Sequence, residues 1–133
     1  MNTRARVGTL GCALVLVLAS LSDLLAHHSA AATYDADHTL RIAGTVAGFA
    51  WKNPHCHVYI GVSGGAFDGQ QYTVELSSAE MLANSGWTKT SLRPGDRVVM
   101  DVHPSRVGAA IGLCRNCPMT LNGRVRSRVF EEG

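Results

Sequence analysis

The stretch Ala50-Trp51-Lys52-Asn53-Pro54-His55-Cys56-His57-Val58-Tyr59-Ile60 decides how this chain folds. Ahead of it, Leu40 to Trp51 reads as a strand with Thr45, Val46 and Phe49 as its β-formers. Behind it, His57 to Val62 alternates: Val58, Ile60 and Val62 share one face, while His57, Tyr59 and Gly61 share the other. Proline has no N–H for a strand ladder, and the residue before it is pushed to extended geometry. The stretch therefore reads as a kinked link between two strands, with Asn53, His55 and His57 near the rim of a sheet. On extended backbone His55 and His57 face one side and Cys56 faces the other.

Working outward, Gly44 and Gly48 inside the first strand predict a bulge or strong coiling, as in a closed barrel. A glycine-rich turn at Ser63 to Gly69 leads to a third strand, Gln70 to Leu76, with Tyr72, Val74 and Leu76 on its apolar face. Glu75, on the opposite face, reads as a solvated carboxylate. Ser77-Ser78-Ala79-Glu80 has the spacing of a capping box and opens a short helix through Met81 and Leu82. Gly86 is placed to end it in left-handed geometry, and Trp87 to plug one end of the core. Arg93-Pro94-Gly95-Asp96 has the residues of a type II turn. A fourth strand, Arg97 to His103, presents Val98, Met100 and Val102 and ends at Pro104. A fifth lies within Ala109 to Leu121, and Asn122-Gly123 turns the chain into a last strand, Arg124 to Phe130. Three strands, a helix and two or more strands predict a mainly β fold. The expected form is a small five- to six-stranded OB-like Greek-key barrel, with one short helix between strands 3 and 4. A β-sandwich would need a longer chain.

Residues 1–26 have the order of a secretory signal: Arg4 and Arg6, then the apolar run Val7 to Ser22, then the small residue Ala26. The run is short for a membrane span. Cleavage after Ala26 is expected to leave an extended segment, 27–39, and a barrel domain, 40–133, in the periplasm or secreted, with no membrane span. Setting aside Arg4, Arg6 and Asp23 leaves 10 basic and 9 acidic side chains, a formal balance of +1. That balance argues against nucleic acid, whose binders cluster positive charge. Arg124, Arg126 and Arg128 read as the exposed face of an edge strand. In an oxidising compartment Cys114-Arg115-Asn116-Cys117 could close a disulfide, bind a metal or act as a redox pair, which leaves Cys56 unpaired.

These motifs, taken in order, resemble domain-of-unknown-function family 6152 of small exported bacterial proteins. The matching segments are His27-His28-Ser29, Gly44-Thr45-Val46, Trp51-Lys52-Asn53-Pro54-His55 and Gly86-Trp87. Further on they are Ser91-Leu92-Arg93-Pro94-Gly95-Asp96, His103-Pro104 and Asn122-Gly123. The chain departs from the family pattern at Cys56-His57, where bulky apolar or aromatic residues are usual, and the Cys114/Cys117 pair looks local. The resemblance implies an exported protein of this fold and no particular chemistry.

The sharpest chemical expectation is metal binding. If His27 becomes the first residue, its α-amino group and imidazole can chelate copper, which favours nitrogen ligands in a tetragonal plane. Zinc is the other candidate. His28, His55, His57 and His103 are the further candidate ligands, and His55 is the best placed of them. No strained nucleophile turn with a Ser-His-Asp order and no phosphate-cradling glycine loop is present, and Cys56 faces away from both neighbouring histidines. The expected function is thus an exported binding protein rather than an enzyme. The alternative is a metal-free structural barrel that docks another exported protein, and a redox role through Cys114 and Cys117 comes third.

Overall fold

The computed structural model describes residues 30–126. The chain divides into two compact units, 1–33 and 34–133. Of the first, only residues 30–33 are described, and they are helical. The signal segment, its cleavage point, His27, His28 and Arg128 lie outside the described residues.

The second unit is mainly β. Its strands are β1 (Leu40–Ala50), β2 (His57–Val62), β3 (Gln71–Glu75), β4 (Arg97–Pro104), β5 (Ile111–Leu113), β6 (Met119–Leu121) and β7 (Arg124–Arg126). One short helix, α1 (Ala79–Asn84), stands between β3 and β4, and a 3-10 turn, Gly65–Phe67, joins β2 to β3. Strands pair in the order β1-β2-β3-β5-β4, and β1 also pairs with β4, which closes a five-stranded barrel. All its pairings are antiparallel except β3 with β5. The β6–β7 hairpin extends the sheet from the first half of β4. This is the expected OB-like arrangement, with the helix where the sequence put it.

β1 closes the ring because it serves two neighbours: Leu40 to Thr45 pair with β4, and Gly44 to Ala50 pair with β2. Both of its glycines are used. The register slips by one residue between Val46 and Gly48, a bulge that leaves Ala47 unpaired. Ahead of the bulge Ile42 and Val46 point inward. Beyond it the phase flips, so Phe49 opposes the buried Val58 while Gly48 opposes Tyr59 on the outer face. At Gly44 a Cβ would run into the carbonyl oxygen of Gly61, so two backbones pass where only glycine fits.

The core follows the alternation. Val58, Ile60 and Val62 of β2, Tyr72 and Val74 of β3, and Val98, Met100 and Val102 of β4 are all buried. The Tyr72 hydroxyl donates to the Ile111 carbonyl at 2.7 Å. A Cβ on Gly112 would sit 3.0 Å from that hydroxyl, so glycine leaves room for the phenol. Leu76, Leu82 and Leu92 complete the barrel's filling. Phe49 stands edge-on to Trp51 and Trp87, with ring centres 5.8 and 6.4 Å away, so both tryptophans pack against the core.

Several local expectations need correction. The helix cap is Ser78, whose hydroxyl accepts from the Met81 N–H at 3.2 Å; Ser77 is buried in the strand extension before it, and Glu80 is not at the capping-box position. Pro104 is the last residue of β4 rather than its terminator. The single fifth strand is two, β5 and β6, split by the Cys114–Cys117 loop. The helix end is as expected: Gly86 has φ +80°, its N–H donates to Ala83, and the Trp87 N–H reaches back to Leu82, the paired bonds of a Schellman motif.

Candidate functional site

The link between β1 and β2 is held by three ties. The Asn53–Pro54 peptide is cis. The Asn53 side chain accepts from the Ala79 N–H at 3.0 Å, so it satisfies one of the orphan donors at the start of α1. Past the proline, Cys56 extends the β2–β3 pairing: its N–H donates to Ser77 and its carbonyl accepts from Leu76. This sets parity as the sequence indicated. Cys56 turns fully inward, with its thiol 3.5 Å from the Lys52 carbonyl, and burial pushes that thiol's pKa up. Cys56 is the free cysteine of the described residues, buried and inert.

His55 and His57 stand on the other side, beside Glu75. His57 is the register partner of Glu75 across the β2–β3 pair. His55 places Nδ1 3.0 Å from Glu75 Oε1. The second carboxylate oxygen accepts from the Tyr34 hydroxyl at 3.0 Å. Arg115 Nη2 donates to Glu75 Oε1 and also lies 3.2 Å from His55 Nε2. Glu75 is therefore not a solvated carboxylate. With its side chain 17 % exposed, it gathers three segments that are distant in the sequence.

The partners surround both nitrogens of the His55 ring. A guanidinium has donors only and an ionised carboxylate has acceptors only. Arg115 can only donate toward Nε2, 3.2 Å away, while Nδ1 lies 3.0 Å from Glu75 Oε1 as a close polar contact. Tyr34 stays a phenol and a donor, because burial and the neighbouring Glu75 charge push its pKa up to about 12.

Each participant is positioned by local structure. Tyr34 is buried and bridges to Ser105, which extends the folded unit ahead of β1. Arg115 rides on a four-residue loop closed by the Cys114–Cys117 disulfide. The loop is pinned beside the site by Cys114, whose N–H donates to the Glu75 carbonyl at 2.8 Å. Asn116 completes the loop at φ +67°, a conformation asparagine tolerates.

His103 lies elsewhere. Its register partner on β5 is Leu113, Leu113 pairs with Glu75, and Glu75 with His57. Three strand spacings, about 14 Å along the sheet, thus separate His57 from His103. His103 Nδ1 donates to the His38 carbonyl at 3.1 Å, and His38 in turn pairs with Asp35 at 2.7 Å. The structure brings His55 and His57 to one place and leaves His103 out. Among the described residues, no three His, Cys, Asp or Glu side chains gather as a metal site. The His57 Nδ1 atom is buried without a hydrogen-bond partner among them.

Sequence reading missed Glu75, Arg115 and Tyr34 as members of this cluster. Glu75 and His57 do share the outward face of one hairpin, which is a readable signal. Nothing local marks Tyr34 or Arg115.

No curated protein and no solved structure matches the chain. A family model described as a family of unknown function, DUF6152, matches residues 15–116, a span that contains Tyr34, His55, His57, Glu75 and Arg115 and stops short of β6 and β7. With most of its length matched, the chain belongs to DUF6152.

Proposed function

We propose that this protein is a small exported binding module, with no chemistry of its own, that takes a transition-metal ion at the His55–His57 rim, copper before zinc. The observation that carries the reading is the pairing of His55 with Glu75. A metal-ligating histidine typically donates its other ring N–H to a carboxylate, which orients the ring and raises its basicity. His55 stands beside such a carboxylate, with Nδ1 3.0 Å from Glu75 Oε1, and Tyr34 also steadies that carboxylate. His57 Nδ1, buried without a partner among the described residues, supports the same reading, because buried polar atoms ordinarily find partners.

Two imidazoles are too few for a copper site. The remaining donors are the α-amino group and imidazole of His27, exposed by cleavage after Ala26, with His28 as a supplement. Export rests on the signal-like order of residues 1–26. Among the described residues no helix is long and apolar enough to cross a membrane.

Mass spectrometry of the secreted form gives its first residue. Calorimetric Cu(II) titration then compares that form, a form with one residue added ahead of His27, and His57→Ala. Binding weakened by both changes is expected. Equal binding by all three forms, or none by any, would sink the reading.

The second reading, a metal-free barrel that docks an exported partner, is favoured by one observation: both ring nitrogens of His55 already have partners. Under it the cluster is a clamp that fixes the Asn53-Pro54-His55 turn, and the same titration gives no binding by the native secreted form.

A further inference from the structure

We propose that the open edge of β7 receives an extended acidic segment of another protein. Acidic residues of that segment meet Arg124 and Arg126, and an apolar residue between them enters a cleft beside Val125. None of the residues involved belongs to the Glu75 cluster, and the proposal does not depend on the metal reading. The barrel closes through β1 and β4 without the β6–β7 hairpin, which extends the sheet past β4. Among the described residues β7 is therefore an edge. Leu121 and Arg124 are register partners on either side of the turn Asn122-Gly123. In a hairpin with so short a turn the flanking pair exchanges both main-chain bonds, so the next residue, Val125, turns its N–H and C=O away from β6. Such an edge is a template for another strand.

The two faces of β7 carry different chemistry. Register sets Val99 of β4, Thr120 of β6 and Val125 of β7 in one row on the outward face, since Val98 and Met100 on either side of Val99 are buried. A cleft of about 590 Å³ opens there, lined by Val99, Pro118 and Val125, with Arg126 and the Arg41–Asp101 ion pair as its charged walls. Val125 is 81 % exposed, so an apolar wall of the cleft stands uncovered among the described residues. Arg124 and Arg126 take the alternate positions of the strand and are exposed. No carboxylate of the described residues pairs with either, and Asp101 is taken by Arg41. Charge then selects the occupant. A second copy paired twofold about Val125 would set Arg124 of each copy against Arg126 of the other, and like charges directly opposite destabilise a strand pair. An acidic–apolar–acidic strand brings opposite charge to both positions and an apolar side chain to the cleft.

Titration of the ¹⁵N-labelled protein with a capped peptide of alternating glutamate and valine tests this, against a peptide of alternating lysine and valine. The glutamate peptide should shift the Val125 amide and slow its hydrogen exchange, and the lysine peptide should not bind. Arg124→Glu/Arg126→Glu, which alters two exposed side chains, should weaken the glutamate peptide about tenfold and let the lysine peptide bind. Glutamate-peptide binding that this reversal leaves unchanged, shifts centred away from β7, or no binding would overturn the proposal. So would an equal response to polyphosphate, which would reduce the surface to a charge patch open to nucleic acid. Sedimentation should find no dimer held by this edge; a dimer that Val125→Asp breaks would give the edge to a second copy instead. Hydrogen exchange of the free, unaltered protein stands apart from any folding defect. A Val125 amide already protected there would mean that the edge is occupied, and would also sink the idea.

Discussion

His55 Nδ1 and Glu75 Oε1 lie 3.0 Å apart, joining the turn between β1 and β2 to the end of β3. The same carboxylate holds Tyr34 and Arg115. Glu75→Gln keeps the shape and removes the charge, so the contact with the imidazole and the bond from the guanidinium weaken together. A loss of about 1–2 kcal/mol is expected, seen as a fall in Tm of roughly 5–15 °C for a domain of this size. An unchanged Tm would mean that the cluster is not holding these segments.

Asn53 and Ser78 cap the same helix from different sides. Asn53 accepts from Ala79 and Ser78 accepts from Met81. Asn53→Ala and Ser78→Ala should each cost about 1 kcal/mol in urea unfolding. Lys52→Ala, next door and exposed, should cost almost nothing. A loss at Lys52 equal to that at Asn53 would show that the loop, and not the cap, sets the effect.

Gly44 and Gly61 give a paired contrast. A Cβ at Gly44 meets the Gly61 backbone, which cannot step aside cheaply, and lies 3.0 Å from the Ile60 side chain. At Gly61 the nearest atom to an added Cβ is 3.8 Å away. Gly44→Ala should therefore destabilise by about 1–3 kcal/mol, while Gly61→Ala should be neutral or slightly stabilising, because alanine restricts the unfolded chain. Equal losses at the two positions in chemical denaturation would contradict the close approach.

The outline of the barrel was legible because its signals are local. β2 starts at His57 and ends at Val62, as its alternation of side chains indicates. Asn122 and Gly123 take φ +51° and +79°, the positive values that a tight hairpin turn requires. The cluster around Glu75 was not legible, because Tyr34 and Arg115 lie 41 and 40 positions away and meet it only once the barrel closes. The choice between Ser77 and Ser78 as cap was likewise tertiary. Cys56 claims the Ser77 carbonyl for the extended β2–β3 pairing, which delays the helix by one residue.

Alkaline pH should loosen the fold from one direction. Burial first, and for Tyr34 also the Glu75 charge, push the Tyr34 and Tyr72 hydroxyls from 10.0 up to about 12. A pKa raised in the folded state adds stability that is complete below the unfolded value and lost as pH rises through the folded one. Stability should hold to about pH 9.5 and fall between roughly 10 and 12. Tyr34→Phe should give a shallower fall across that window in thermal melts. An unaltered slope would remove Tyr34 from the effect.

The most direct measurement is the mapping of copper on the protein beginning at His27, as proposed for its exported form, by paramagnetic broadening of its ¹⁵N–¹H spectrum at substoichiometric Cu(II). Early loss of the signals of His55, His57, Glu75 and Arg115 is expected, while those near His103 and Asn122 persist. Broadening centred on His103, broadening confined to residues 27 and 28, or a spectrum that copper leaves unchanged would contradict a metal site at the His55–His57 rim.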